Sequence, residues 1–174
     1  MFSDPVKNLK MLGLRENDIV ADLGAGTGFY SVAAGALVPK GKVYAVELQK
    51  DFLETIKHKA KEARLGNVEI LWGNVEKIGG TKIGDGVADV VIASNILFQV
   101  EDKENFILEI KRILKPKGKV LLIDWSEMSF MQITHANILP KNKACEMFQK
   151  KDFILEREID AGEHHYGMIF RVAS

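Results

Sequence analysis

The sequence holds a single cysteine, Cys145, in 174 residues. One thiol excludes an intrachain disulfide framework and any zinc site built on several cysteines. It suits a reducing compartment, and its ordinary role is that of a small core hydrophobe. Proline is scarce, with four in the chain, and no stretch rich in proline, glycine or serine marks a linker or a low-complexity tract. Charge of either sign is not in excess. The 24 basic and 24 acidic side chains cancel to a formal net charge of zero, which excludes a broad electrostatic grip on nucleic acid or an anionic membrane. No apolar run reaches the ~18 residues of a membrane span, and Met1 to Lys10 lacks the apolar stretch of a secretory leader. A cytoplasmic chain is expected. What is present is ordinary globular composition, 47% hydrophobic and 28% charged. At this length residues 1–174 are expected to form a single domain, without internal repeats.

Short β-type runs alternate with helix-length amphipathic segments. Asp18 to Leu23 is an apolar run ending at a glycine cluster, a buried strand; Tyr30 to Val38, rich in alanine, suits a helix packed on a sheet. Pro39-Lys-Gly41 breaks that helix, and Lys42 to Glu47 forms the second strand. Lys50 to Leu65 places Phe52, Leu53, Ile56, Ala60 and Ala63 on one face of a helix that ends at Gly66-Asn67. Val68 to Trp72 is the third strand, and Gly86 to Ser94 contains the fourth. A helix over Lys103 to Leu114 stops at Pro116 and Gly118, before a fifth strand over Lys119 to Asp124. A short helix from Pro5 to Leu12 precedes the first strand. Another, from Asn142 to Gln149, precedes a closing hairpin of Phe153 to Ile159 and His165 to Val172. The alternation predicts an α/β sandwich: a mostly parallel sheet with helices on both faces and an antiparallel strand from the hairpin.

The most informative segment is Val20-Ala-Asp-Leu-Gly-Ala-Gly-Thr-Gly-Phe-Tyr-Ser31. Gly24, Gly26 and Gly28 lie between a strand and a helix, at the carboxyl edge where such sheets bind ligands. Glu47 ends the next strand ~20 residues on, where a carboxylate accepts both hydroxyls of a ribose. The pair points to a nucleoside-containing cofactor. A dinucleotide site needs G-x-G-x-x-G, and the last of those positions is Phe29; the third glycine is Gly28 instead. Asp22, two residues before Gly24, repels a pyrophosphate but attracts the ammonium of an amino-acid moiety. The residues therefore point to S-adenosyl-L-methionine, with S-adenosyl-L-homocysteine as its product, and away from NAD.

Asp22-Leu-Gly-Ala-Gly-Thr-Gly28 resembles the first motif of the class I S-adenosylmethionine-dependent methyltransferases, and Glu47 resembles their ribose-binding acid. Gly73-Asn74-Val75 falls where the family has Gly-Asp-Ala, whose acid contacts the adenine amino group. Asp89-Val-Val-Ile-Ala-Ser-Asn95 and Leu114-Lys-Pro-Lys-Gly-Lys-Val120 resemble later motifs, so the likeness spans nearly the whole chain. It implies a Rossmann-like, three-layer α/β sandwich with a seven-stranded, mostly parallel sheet whose last strand is antiparallel. It implies transfer of a methyl group from the cofactor to an acceptor. The expected cofactor-binding residues are Asp22, Gly24, Ala25, Gly26, Gly28, Glu47, Leu48, Asn74, Val75, Ser94 and Asn95. Asp4-Pro5, Gly-Phe-Tyr-Ser and Asp124-Trp125 look most like the small-molecule subgroup related to ubiquinone and menaquinone methyltransferases. The segment Ser126 to Lys141 departs from that subgroup's Gly-Pro-Pro-containing stretch.

Methyl transfer from a sulfonium demands alignment above all, so no catalytic dyad is required. Tyr30 and Trp125 are candidates for facing the sulfonium or the acceptor, and Asp124 and His135 are candidate bases; Phe29 and Phe98 are expected to pack in the core. His164-His165 is expected at the surface of the hairpin, since neighbours on a strand point to opposite faces. No metal site is expected. Lys141, Lys143, Lys150 and Lys151 are expected to be a solvated face. A small-molecule acceptor handled by a monomer or homodimer is favoured over nucleic acid. The alternatives are a protein or RNA acceptor, or an inactive module that only binds the cofactor.

Overall fold

A computed structural model describes residues 3–127 and 137–173. The first helix, α1 (Pro5–Leu12), is opened by Asp4, whose carboxylate accepts the Lys7 amide at 3.2 Å, and closed by Gly13 at φ 74°. Strand and helix then alternate: β1 (Ile19–Leu23), α2 (Phe29–Leu37), β2 (Lys42–Glu47), α3 (Lys50–Glu62), β3 (Val68–Trp72), β4 (Ala88–Ser94), α4 (Lys103–Ile113) and β5 (Leu114–Trp125). The chain finishes with α5 (Lys141–Gln149), β6 (Phe153–Ile159) and β7 (His165–Val172). Among the described residues no helix is long and apolar enough to cross a membrane.

The sheet has seven strands in the order β3-β2-β1-β4-β5-β7-β6. Pairings from β3 through to β5 are parallel, and β7 runs antiparallel to both β5 and β6. The continuous apolar runs of the central strands follow from burial on both faces. Ala21, Val91, Ala93, Val120 and Leu122 point to one side, where they meet Phe106 and Ile110 of α4 and Phe148 of α5. Val20, Val90, Ile92, Leu121 and Ile123 point to the other, against Leu9 of α1 and Ala34 of α2. These are the three layers expected from the sequence.

Two boundaries differ from expectation by more than two residues. The α3 helix ends at Glu62, short of Leu65. The β5 ladder begins at Leu114 instead of Lys119, because Leu114 pairs with Ala88 before a bulge; pairing resumes at Lys119 with Val90. Pro116, which has no amide hydrogen to donate, sits inside that bulge.

The crossover from β3 to β4 is fastened by Glu109 of α4, whose side chain is fully buried. Its carboxylate accepts the Gly79 amide at 2.8 Å and the Thr81 hydroxyl at 2.7 Å, and pairs with Arg112 at 2.7 Å. Burial alone would raise this carboxyl, but Arg112 and the Gly79 and Thr81 donors outweigh it and hold the group at about 2.

Candidate functional site

The turn after β1 is made by glycines in the left-handed region: Gly24 at φ 71°, Gly26 at 55° and Gly28 at 87°. At Gly24 a second constraint applies, since a Cβ there would stand 2.0 Å from Ile96 Cδ1. The Gly24 and Ala25 amides donate to the Val46 carbonyl at 2.9 and 3.0 Å, which ties the loop to the end of β2. Gly28 serves a different purpose. It caps α2, and a Cβ on it would meet Ile56 Cγ1 at 3.0 Å, so it allows α2 and α3 to approach and does not line the cavity.

Above this loop lies a cavity of about 1060 Å³ at the carboxyl edge of the sheet. Of the residues singled out from the sequence, Asp22, Gly24, Ala25, Gly26, Glu47, Leu48, Asn74, Val75, Ser94, Asn95, Tyr30 and Trp125 all border it. One end, over β1, β2 and β3, is polar. Glu47 is buried there, with Oε1 accepting the amides of Leu48 and Gln49 at 2.8 and 2.9 Å and Oε2 accepting that of Gly26 at 2.8 Å. A carboxylate has about four acceptor positions. Glu47 therefore keeps one for a hydroxyl donor, and gains a second if Gly26 yields.

Asp22 is 2% exposed, and its Oδ2 accepts the Ser31 hydroxyl at 2.6 Å. Burial is the main cause that pushes this carboxyl up to about 7; the nearby Glu47 charge adds to it, and the Ser31 hydroxyl opposes it. A cation placed beside Asp22 would favour the ionised form. Asn74 Oδ1 accepts the Glu76 amide at 2.9 Å, an arrangement that orients the side chain on the turn after β3. Asn95 stands at φ 54° directly after β4. Its Oδ1 is buried and finds no hydrogen-bond partner among the described residues.

The opposite end of the cavity, over β5 and β7, is framed by rings. Trp125 and His165 face each other across the two strands, with ring centroids 4.2 Å apart and planes at 33°. His165 corrects the expectation of two surface histidines: it is 8% exposed and borders the cavity. The reason is topological. Because β7 is antiparallel, its first residue comes to rest at the carboxyl edge of the parallel strands. Burial, aided by the neighbouring His164, lowers the imidazole to about 4, so it is neutral at physiological pH.

The other candidates separate. The Tyr30 hydroxyl is bonded to Ser3 Oγ and to Asn8 Nδ2, each at 3.0 Å, so this ring fastens α1 onto α2 and brings Ser3 and Pro5 to the cavity rim. Asp124 is 1% exposed and does not border the cavity. Its oxygens accept the amides of Phe98 and Trp125 at 3.2 and 2.8 Å, which shapes the turn after β4. Burial pushes Asp124 up to about 6 against those donors. Phe29 departs from the expectation of core packing. It is 66% exposed at the start of α2, with the Lys59 ammonium 3.8 Å from its ring centre. Phe98 is half-buried, and His135 lies outside the described residues. Of the basic cluster, Lys141 pairs with Glu158 at 2.7 Å and Lys151 with Glu104 at 3.7 Å. Cys145 is half-buried and packs against the core. Among the described residues no group of three or more His, Cys, Asp or Glu side chains is placed to hold a metal ion.

Sequence reasoning did not single out Ser3, Ile96, Gln99, Val100 or His165 as cavity residues. Reading the last strand as antiparallel was enough to place His165 at this edge, but its burial depended on the Trp125 pairing.

A family model described as a methyltransferase domain matches residues 14–170. The chain is 30% identical over 120 residues to the demethylmenaquinone methyltransferase of a Geobacillus species, an alignment covering 68% of this chain and 50% of that relative. It is 30% identical over 137 residues to the ubiquinone/menaquinone biosynthesis C-methyltransferase UbiE of Haemophilus ducreyi, covering 74% of this chain and 52% of the relative. The chain thus spans about half the length of the curated relatives it matches. A crystal structure described as an S-adenosylmethionine-dependent methyltransferase from Aquifex aeolicus superposes with a TM-score of 0.89 at 26% identity, covering 98% of this chain and 90% of that one. Sequence motif, strand order and these likenesses agree, and the chain belongs to the family of S-adenosylmethionine-dependent methyltransferase domains.

Proposed function

We propose that this chain moves the methyl group of S-adenosylmethionine to a small-molecule acceptor bound in the same cavity. The observation that carries the reading is the polar arrangement at the β1–β3 end. Two carboxylates, Asp22 and Glu47, flank the Gly24–Gly28 turn on neighbouring strands, and Asn74 follows on the third. The arrangement fits the cofactor's three polar parts: Asp22 for the ammonium, Glu47 for the ribose hydroxyls and Asn74 for the adenine edge, with Leu48 and Val75 supplying apolar contact to the base. Ala25 and the Gly26 amide lie at the turn itself. Ser94 and the unpartnered Asn95 Oδ1 are assigned to the amino-acid and sulfonium side. A pyrophosphate cofactor is disfavoured by the Asp22 carboxylate and by Phe29 in place of a helix-start glycine.

When bound, the sulfonium supplies a methyl carbon already activated toward in-line attack. What remains for the chain is to orient and to exclude water. Gly24 and Ala25, anchored to Val46, fix the turn, while Ile96 and Val100 line the cavity with apolar surface. A volume of about 1060 Å³ exceeds what one drug-sized ligand needs, so it leaves room for an acceptor beside the cofactor. The names of the relatives, a demethylmenaquinone methyltransferase and a C-methyltransferase of ubiquinone and menaquinone biosynthesis, support a small-molecule acceptor. On this reading the chain works in the cytoplasm as a monomer or homodimer and has no nucleic-acid partner.

Calorimetry tests the cofactor half. S-adenosylmethionine and S-adenosylhomocysteine are expected to bind at micromolar levels and NAD not at all; absence of binding by both sulfur nucleosides refutes the proposal. Transfer of labelled methyl into a fractionated extract tests the acceptor half. Label is expected in the small-molecule fraction, and label confined to protein or RNA refutes that part.

A further inference from the structure

Two walls of the cavity, from different crossovers, are joined by one side chain. The turn after β3 carries Asn74 and Val75, assigned to the base of the cofactor, and residues 95–102, between β4 and α4, carry Ile96, Gln99 and Val100. Glu76 bridges the two segments. Its amide donates to Asn74 Oδ1 at 2.9 Å, and its Oε1 accepts the amides of Glu101 and Asp102 at 2.7 and 2.8 Å. Those two amides directly follow Val100, which is 4% exposed and borders the cavity, as Glu76 itself does. Asp102 is the N-cap of α4, a place where unpaired amides and the helix dipole favour a carboxylate. The same β3–β4 crossover is fastened a second time by Glu109, but from within the core. Glu109 is fully buried, holds Gly79 and Thr81 and pairs with Arg112. Glu76 is half-buried, and among the described residues no basic side chain pairs with it.

We propose that Glu76 is a positioning residue for the cofactor: it holds the Asn74 turn and the Val100 wall at the spacing the nucleoside needs, and the bound nucleoside in turn holds that link closed. Glu76 touches none of the reacting atoms and acts through Asn74 and Val100. When its carboxylate releases the Glu101 and Asp102 amides, Val100 loses an anchor at the start of α4, and the turn that orients Asn74 loses its tie to the opposite wall. The Glu109 contacts keep the rest of the crossover on α4, so only the cavity side of the turn loosens. The cofactor therefore binds the closed arrangement more tightly than the open one. By linkage, its binding suppresses opening by the same factor. This role rests on the cofactor reading, with the base beside Asn74.

Amide hydrogen exchange and calorimetry test the role together. In the unaltered protein, saturating S-adenosylhomocysteine is expected to slow exchange of the Glu101 and Asp102 amides about tenfold and to leave those of Gly79 and Thr81 within about twofold. Glu76→Ala leaves the link permanently open, so it is expected to bind S-adenosylhomocysteine about tenfold more weakly, the two factors agreeing within about threefold. Glu76→Gln keeps a carbonyl oxygen for the two amides and is expected to bind within about threefold of the unaltered protein. A side chain that served stability alone would not tie an exchange rate to an affinity in this way. Unchanged exchange at Glu101 and Asp102, equal slowing at Gly79 and Thr81, unchanged affinity in Glu76→Ala, or Glu76→Gln as weak as Glu76→Ala overturns the assignment. If Glu76→Ala does not fold, the exchange pattern of the unaltered protein and the affinity of Glu76→Gln decide by the same criteria. If S-adenosylhomocysteine does not bind the unaltered protein, the cofactor reading falls and this role with it. Binding without the expected changes overturns the role of Glu76 alone.

Discussion

Replacing Gly24 with alanine strikes the molecule at a point where two costs can be separated. The backbone there holds φ 71°, a conformation that costs a residue with a Cβ about 1–2 kcal/mol. The new methyl also stands 2.0 Å from Ile96 Cδ1 and 3.1 Å from its Cγ1. Ile96 is 6% exposed and has little room to turn except into the cavity it borders, so displacing it adds about 1–3 kcal/mol of overpacking. The sum is about 2–5 kcal/mol, which for a chain of this size lowers the melting temperature by about 5–15 °C. Ile96→Val removes Cδ1 and separates the parts. Alone it costs about 1 kcal/mol, but combined with Gly24→Ala it is expected to restore at least about 1 kcal/mol. Thermal melts of the four proteins of this double-mutant cycle are the assay. Binding of S-adenosylhomocysteine, measured on the same four, is expected to be weakest in Gly24→Ala alone, where Ile96 is driven into the cavity. If Gly24→Ala melts within about 2 °C of the unaltered protein, or if the two substitutions are additive, the close approach of Gly24 and Ile96 does not constrain the loop.

Three further outcomes follow from the buried carboxylates. Asp22, raised to about 7, carries its proton in the free protein below that pH; affinity for S-adenosylmethionine is therefore expected to rise with pH up to about 7 and to level off above it. Asp22→Asn should flatten that profile, and in the ligand-free protein at pH 8 it should raise the melting temperature by removing a buried charge. Glu47→Gln forces an amide NH2 toward the Gly26 or the Leu48 and Gln49 donors, and calorimetry is expected to show about tenfold to hundredfold weaker cofactor binding. Glu109 is held at about 2, below the ordinary 4.5, so its stabilisation is complete above pH 4.5 and is lost as pH falls toward 2. Glu109→Gln is expected to cost about 3 kcal/mol at pH 7, and its melts should converge with those of the unaltered protein across that acid window.

The glycine turn and the carboxylates that border the cavity beside it were legible in the sequence because their signals are local. A strand, a turn needing left-handed backbone and a helix start occupy Val20 to Ser31 without a break, and Glu47 is found by counting to the end of the next strand. The layers were legible for a similar reason: strands apolar on both sides require helices on both faces. What escaped depends on contacts between distant segments. Phe29 reads as a core residue by composition, yet as the first residue of α2 it turns outward under Lys59 of α3. Gly28 reads as part of a ligand cradle, yet its missing side chain makes room for Ile56. Asp124 reads as a candidate base, yet it lies away from the cavity and is bonded to two amides of its own fold, whereas Tyr30 borders the cavity with its hydroxyl bonded to Ser3 and Asn8.

The two ends of the cavity thus arise from different parts of the topology. Parallel strands bring their carboxyl ends to one edge, and each crossover returns the chain so that the next residue lands beside the last; Asp22, Glu47, Asn74 and Asn95 are collected in this way. An antiparallel strand reverses the rule and delivers its first residue. The β7 strand therefore contributes His165, and the β5–β7 register of Trp125 against His165 determines that the two rings meet, tilted by 33°. A slip of one residue in that pairing would turn His165 to the other face of the sheet. On the other side of β7, Gly167 packs tightly against β6, since a Cβ there would come within 2.6 Å of Ile159 Cγ1. Gly167 and His165 lie on the same face of β7. The hairpin that closes the sheet is thereby also what sets the ringed wall of the cavity over β5 and β7.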